Sequence, residues 1–245
     1  IMIKHYLKVA FRNLMKYKMQ SFVSIIGLAV GFTCFALSAL WIRYEMTYDN
    51  FHKGSDRIYM VRAHYANEPG TSKFTPYPLM EYLQDKMPEI EAATAFTPHH
   101  VKFRLEETEQ EVGMIDADSV FMNFFDIQLL KGTVNFLKSD GQEVAITKEF
   151  AKRLFSKEED ALGKEVEVGR RVCKIGAIVS GWSNHSNIPY NILAPARHSP
   201  RWGSSNEQLF IRVRERTDID AFRTKMSTVH INDIEKESEL SDLLI

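Results

Sequence analysis

The sequence predicts an α+β domain held outside the cytoplasm by one N-terminal transmembrane helix, and three observations predict it. Residues 1–20 hold Lys4, Lys8, Arg12, Lys16 and Lys18 with no acid. Residues 21–42 hold no charge at all. Beyond them, strand-like and helix-like patterns alternate without the regular βαβ rhythm of a parallel sheet.

The basic tip sets the orientation. Of the 31 basic residues five lie in it, leaving 26 against all 32 acidic ones in the rest of the chain. A basic end, a neutral apolar stretch and a mildly acidic body describe a protein arranged across a membrane. The overall charge of −1 argues against nucleic acid as a partner. Ile3, Leu7, Ala10, Phe11 and Leu14 recur at helical spacing, while Lys4, Lys8, Arg12 and Lys16 form a row four apart. Residues 1–20 are therefore expected to form an amphipathic helix at the cytoplasmic interface, lysines against anionic headgroups.

Phe22–Trp41 is an uncharged run of 20 residues, roughly 30 Å as a helix, which matches the hydrocarbon core of a bilayer. The span is placed at residues 21–43. Five cations precede it, so the N-terminus stays cytoplasmic, and Trp41, Tyr44 and Tyr48 fall at the outer interface. A cleaved signal peptide fits less well, because its apolar core would be shorter and would end in an A-x-A-like site. Gly27 and Gly31 make a G-x-x-x-G pair, with Ser24 and Ser38 also small, and this is the candidate helix-packing site.

Residues 44–245 form the outer domain. Ile58–Tyr65 reads as a strand, and Pro78–Met87 as a helix with proline at its first position and a stop at Pro88. Ala92–Phe96, Val101–Leu105 and Glu111–Ile115 read as short strands around a solvated acidic hairpin, Glu106–Glu111. Phe121, Phe124 and Phe125 suggest a short buried helical turn. Glu143–Ile146 leads as a strand into a helix capped by Thr147, carrying Phe150, Ala151, Leu154 and Phe155 on one face. Gly169-Arg170 between Val166–Val168 and Val172–Ile175 reads as a two-residue hairpin turn. Leu209, Ile211 and Val213 alternate with arginines as a half-buried strand. A last helix begins near Thr217 and presents Ile219, Phe222, Met226 and Val229. The stretches 182–188 and 195–205 read as irregular.

Catalytic motifs are missing from the sequence. It has no G-x-x-x-x-G-K-[ST], G-x-S-x-G, H-E-x-x-H or C-x-x-C. His99 and His100 are neighbours on a strand and point to opposite faces, without a third ligand at motif spacing. His185 has no orienting acid beside it. Cys34 lies in the apolar stretch and Cys173 in the body, so no disulfide is expected. The chain is expected to be no enzyme and to bind no metal or cofactor itself.

Lys8–Gly31 (KVAFRNLMKYKMQSFVSIIGLAVG) resembles the opening of FtsX-like and MacB-like ABC-transporter permeases, in which a basic amphipathic helix with an Arg-Asn pair precedes the first span. Tyr48–Arg62 (YDNFHKGSDRIYMVR), Phe121–Thr133, Glu143–Val168 and Val179–Pro195 are similar to the MacB-like periplasmic core domain. The resemblance covers nearly the whole chain. It implies a permease with four spans and a periplasmic domain of two subdomains, one α/β and one β-rich, the second inserted in the first. It implies a paired permease or homodimer, a cytoplasmic ABC ATPase that holds the ATP, and a lipoprotein, peptide or drug as periplasmic cargo. Localisation would be the cell inner membrane, with ATP-driven motion transmitted to the periplasm. Only one span lies before Ile245, so the sequence is expected to be part of a longer permease. A single-span sensor or adaptor, or a membrane-tethered enzyme, remain as competing classes.

Overall fold

A computed structural model describes residues 2–46, 54–65, 69–182, 186 and 188–231, without the side chains of 2–4, 7, 8 and 10. Contacts divide the chain into two units, 1–48 and 49–245.

The first unit is two helices, α1 (Met2–Lys16) and α2 (Lys18–Glu45). Tyr17, at φ −110° and ψ 59°, interrupts the helix between them. The apolar residues Phe11 and Leu14 of α1 are exposed; the rest of its expected apolar row, Ile3, Leu7 and Ala10, lies outside the described side chains. No residue of α2 is buried, though it is almost wholly apolar. Leu28, Phe32, Phe35 and Trp41 are each more than three-fifths exposed. A water-soluble fold does not leave such a face open, whereas lipid would cover it. Trp41 and Tyr44 stand together near the C-terminal end, with ring centroids 6.5 Å apart; Tyr48 is outside the described residues.

Among the described residues, the second unit is built on nine strands. Strand β1 (Ile58–Met60) pairs antiparallel with β9 (Gln208–Val213), and β9 pairs with the first half of β2 (Ile90–Leu105). Helices α3 (Pro78–Lys86) and α6 (Ile219–Met226) cover this layer. Their Leu79, Leu83 and Phe222 pack on Ile90, Ala93, Ala95, Leu209, Ile211 and Val213.

The second half of β2 enters a different structure. It pairs with β3 (Thr108–Ala117), which runs parallel to β8 (Ile192–Pro195). β8 pairs with β5 (Glu143–Thr147), β5 runs parallel to β7 (Arg171–Val179), and β7 pairs with β6 (Glu165–Val168). β6 then pairs back to β2 at Phe103 and Arg104, so the ladder closes on itself. Every strand of the ring supplies the interior: Phe103, Val112, Ile146, Val166, Ile175 and Ile192 are all under 4% exposed. Helix α5 (Lys148–Leu154) adds Phe150 and Ala151. Thr147 caps it as expected, its Oγ1 accepting from Phe150 N at 3.3 Å.

The outer face of the ring carries small residues, Ala117, Ala145 and Ala177, which let α4 (Ser119–Phe124) lie close. Phe121, Phe124 and Phe125 there meet Phe96 and Phe210 of the first layer. The second unit therefore builds an α/β layer from described residues before 97 and after 205, and a β-rich ring from residues 97–205 inserted between them, with β2 running through both.

Three expectations need correction. Ala92–Phe96 and Val101–Leu105 are one 16-residue strand, not two, despite Pro98. Residues 97–102 have a registered partner only in β3, since the pairing with β9 reaches only to Phe96 and that with β6 only from Phe103 onward. The proline sits on a locally open edge, where a missing N–H costs no ladder bond. The strand expected to reach Tyr65 ends at Met60; beyond it, Val61 N still bonds Leu209 O and Ala63 bridges Ser72. The last helix starts at Ile219 with Asp218 as its cap, because a carboxylate there accepts from both Asp220 N and Ala221 N. Strand β8, between the two stretches read as irregular, has no counterpart in the sequence reading, because its ILAP lacks any alternation when both its faces are buried.

β4 (Leu129–Gly132) is an edge strand added to β7. Gly132 ends it at φ 83°, and a Cβ there would stand 2.2 Å from Gly176 O and 2.8 Å from Ala177 Cα. Both are backbone atoms and cannot swing away. Gly132→Ala is expected to lower stability by about 2 kcal/mol through left-handed strain and overpacking together, read as a fall in the thermal midpoint.

Candidate functional site: a histidine between two carboxylates

The sequence-predicted packing site lies on α2. Gly27 and Gly31 are one turn apart on a helix face, and a Cβ built on either meets nothing within 4 Å. The face is open in this unit, so the described structure holds no helix against it. Both cysteines are free, Cys34 exposed and Cys173 buried.

His99 and His100 do point apart. His99 is partly buried with its Nδ1 unpartnered among the described residues, whereas His100 is exposed. His185 lies outside the described residues. No group of three or more His, Cys, Asp or Glu side chains among the described residues is placed to hold a metal ion.

Sequence reasoning missed His198. It sits in the irregular segment after β8, and its imidazole stacks flat on Tyr77, centroids 3.9 Å apart at 10°. Its Nδ1 lies 3.2 Å from Glu207 Oε1, and its Nε2 lies 3.5 Å from Asp118 Oδ2. The first is a hydrogen bond, while the second is a charge contact at the long limit, since Nε2 makes no well-formed bond. All three groups are shielded, with side-chain exposures of 14% for His198, 29% for Asp118 and 9% for Glu207.

Each partner is held by its own element. Asp118 is the N-cap of α4 and accepts from Phe121 N at 2.8 Å. Glu207 stands just before β9, takes a hydrogen bond from Thr97 Oγ1 at 3.1 Å, and pairs through its backbone with Thr75. Burial alone would pull the imidazole's pKa down, but the two carboxylates outweigh it and hold His198 up to about 9. Asp118 is also penalised by burial, yet the His198 contact and the Phe121 amide keep its carboxyl below the usual range. Tyr77 is pushed up by burial beside these acids.

An imidazolium held this way at neutral pH has no free lone pair, so it cannot serve as a general base. Both its nitrogens face carboxylates, and among the described residues no nucleophile is paired with it. The contacts tie neighbouring elements together. Asp118 and Thr97 belong to the ring side, Glu207 and Tyr77 to the α/β layer, and His198 to the segment that joins β8 of the ring to β9 of the layer. The clamp fixes the two regions at the segment where one passes into the other. Arg212 adds a second tie, donating to Phe124 O at 2.5 Å with its guanidinium over the Phe124 ring.

The MacB-like periplasmic core domain model matches residues 21–229. Among solved structures, a domain of a permease protein from Porphyromonas gingivalis aligns over 69% of this chain and 81% of its own, at 21% identity and a TM-score of 0.58. The periplasmic region of MacB from Actinobacillus actinomycetemcomitans aligns over 76% and 94%, at 12% identity and a TM-score of 0.51. The extracellular domain of the noncanonic ABC-type transporter YknZ from Gram-positive bacteria aligns over 67% and 86%, at 15% identity and a TM-score of 0.50. A comparison with curated proteins gives no match. The structural likenesses establish the fold, an α/β layer with an inserted β-rich ring, and the match of the family model across span and domain establishes more. The chain belongs to the family defined by the MacB-like periplasmic core domain of ABC-transporter permeases.

Proposed function

We infer that this protein works as a permease component of an ABC transporter, with its N-terminus in the cytoplasm, α2 across the membrane and the α+β domain outside. The observation that carries this reading is the continuity of the family match from residue 21, through a helix with no buried residue, to residue 229. Five cations before α2 support the orientation. ATP would be bound by a partner ATPase in the cytoplasm, whose closure is transmitted along α2. The outer domain would act on a lipoprotein, peptide or drug cargo, and its rigid clamp between ring and layer suits an element that must pass motion on without absorbing it.

Transmission needs a second helix for α2 to work against, from another copy or a paired permease. Gly27 and Gly31 are the residues where backbones could come closest. Cys34 lies three residues beyond Gly31 on the same face and is exposed, whereas Cys173 is buried. Mild oxidation of the protein in detergent is therefore expected to give a Cys34-linked dimer that Cys34→Ser abolishes. Gly27→Ile with Gly31→Ile should remove the cross-link and weaken dimerisation by at least about tenfold, the scale of one lost packing contact of 1.4 kcal/mol. Dimerisation unchanged in the double variant would sink the reading of this face.

A further inference from the structure

At one end of the closed ring, under the β6–β7 hairpin, lies a cavity of about 330 Å³. Met114, Val144, Val168 and Ala194 give it apolar walls. Its charged groups do not satisfy one another. Arg197 is turned to Asp140, with which it pairs. Arg170 and Arg171, at the hairpin turn, are exposed and make no ion pair among the described residues. Asp116 is half-buried on the wall shared with an adjoining cavity of about 470 Å³, and its carboxyl has no hydrogen bond among the described residues. Burial pushes that carboxyl up and Glu207 adds to the rise, while His99 first and Arg171 after it pull it down, none of them hydrogen-bonded to it.

An apolar hollow with two free guanidinium forks on one side and an unpartnered acceptor on another asks for a ligand with three matching parts. We propose that this cavity binds the C-terminal end of an extended polypeptide whose last side chain is apolar. A terminal carboxylate is planar with two oxygens, the geometry that a guanidinium fork meets with paired hydrogen bonds. The N–H of the last residue needs an acceptor once it leaves water, and Asp116 offers one. The last side chain replaces water against Val144, Val168 and Ala194. The volume is at the small end for ligand sites, enough for one or two residues rather than a folded partner. A fatty acid would also place a carboxylate on the arginines, but it would leave Asp116 without a donor. A simple amine would satisfy Asp116 and be repelled by Arg170 and Arg171.

The inference does not depend on transport, so it can fail while the permease reading stands, and the reverse. The test is calorimetric titration of the full chain, in a non-ionic detergent micelle, with N-acetyl-alanyl-leucine as the free acid. The same dipeptide as its C-terminal amide, and octanoate, are the comparators. The acid is expected to bind at least about tenfold more tightly than either, the factor set by one charge-assisted hydrogen bond. Arg170→Ala with Arg171→Ala should remove the difference between acid and amide while leaving the thermal midpoint in place, because neither side chain holds the fold. Asp116→Ala should weaken the dipeptide several-fold and leave octanoate unaffected. Equal binding of acid and amide, octanoate binding as tightly as the dipeptide, or no binding of the acid at about 10 mM would each overturn the proposal.

Discussion

His198→Ala is expected to cost about 3 kcal/mol of folding stability at neutral pH, the low end for removing one partner from a shielded charge cluster. The loss exceeds that of a surface ion pair because of what remains. Glu207, 9% exposed, and Asp118, 29% exposed, would face the vacated site as two anions with no cation between them. Tyr77 would lose the ring stacked on it at 3.9 Å. In a unit of this size the thermal midpoint should fall by roughly 6–12 °C. His198→Gln keeps hydrogen-bonding capacity but not charge, and should recover only part of the loss. A midpoint within about 1 °C of wild type for His198→Ala would show that the clamp does not hold the fold together.

The same site gives the stability curve its alkaline limb. His198's folded pKa, about 9, lies above the ordinary histidine value near 6.5, so the folded state holds the proton more tightly than the unfolded one. Its contribution is fully present below about pH 6.5 and is lost as the pH rises through about 9. Asp118 behaves in the opposite sense: its depressed carboxyl stabilises above the ordinary aspartate range and loses that effect on acidification. Denaturant unfolding across this range should show a loss between about pH 7 and pH 10 that is flattened in His198→Ala.

The sequence hides this clamp. The phenylalanine run after Asp118 shows only a short buried turn, whereas Thr147 before Phe150 is a readable helix cap, because capping is local chemistry. The transmembrane segment, the Gly169-Arg170 turn and the alternation of β9 are legible for the same reason: each is a pattern within a few residues. His198 belongs to a segment with no periodicity, and Asp118 and Tyr77, two of the three groups around it, lie far away in sequence. Nothing short-range distinguishes it from a solvated loop histidine. Two strands are expected where β2 is one, and Pro98 lies in the gap between them; the rule against proline in strands holds only where the ladder is paired on both edges, and that depends on how far β9 and β6 reach along β2. Nothing local marks Arg170 and Arg171 beyond a turn; their significance comes from a cavity formed by strands that return from elsewhere in the chain.

Phe121→Ala is the other change expected to act strongly, at about 3–5 kcal/mol. Phe121 is fully buried and sits at the meeting of the two regions. Its ring contacts Phe96 of β2 at 4.8 Å, Phe125 at 5.1 Å and Trp182 at 5.8 Å. Alanine there removes the central ring of the cluster, and the strands behind it are fixed in a closed ladder that cannot collapse to fill the gap. Phe150→Ala makes the same chemical change inside the ring, where Phe103 is its aromatic neighbour at 5.0 Å. Both should lower the unfolding midpoint, but they should differ in kind. Phe121 joins layer to ring alongside the His198 clamp, so Phe121→Ala combined with His198→Ala should depart from additivity by more than about 0.5 kcal/mol. Phe150 shares no partner with the clamp, and its combination with His198→Ala should be additive. A double-mutant cycle by denaturant unfolding separates the two cases, and equal coupling in both would mean that the layer and the ring are held together by the core as a whole rather than at this joint.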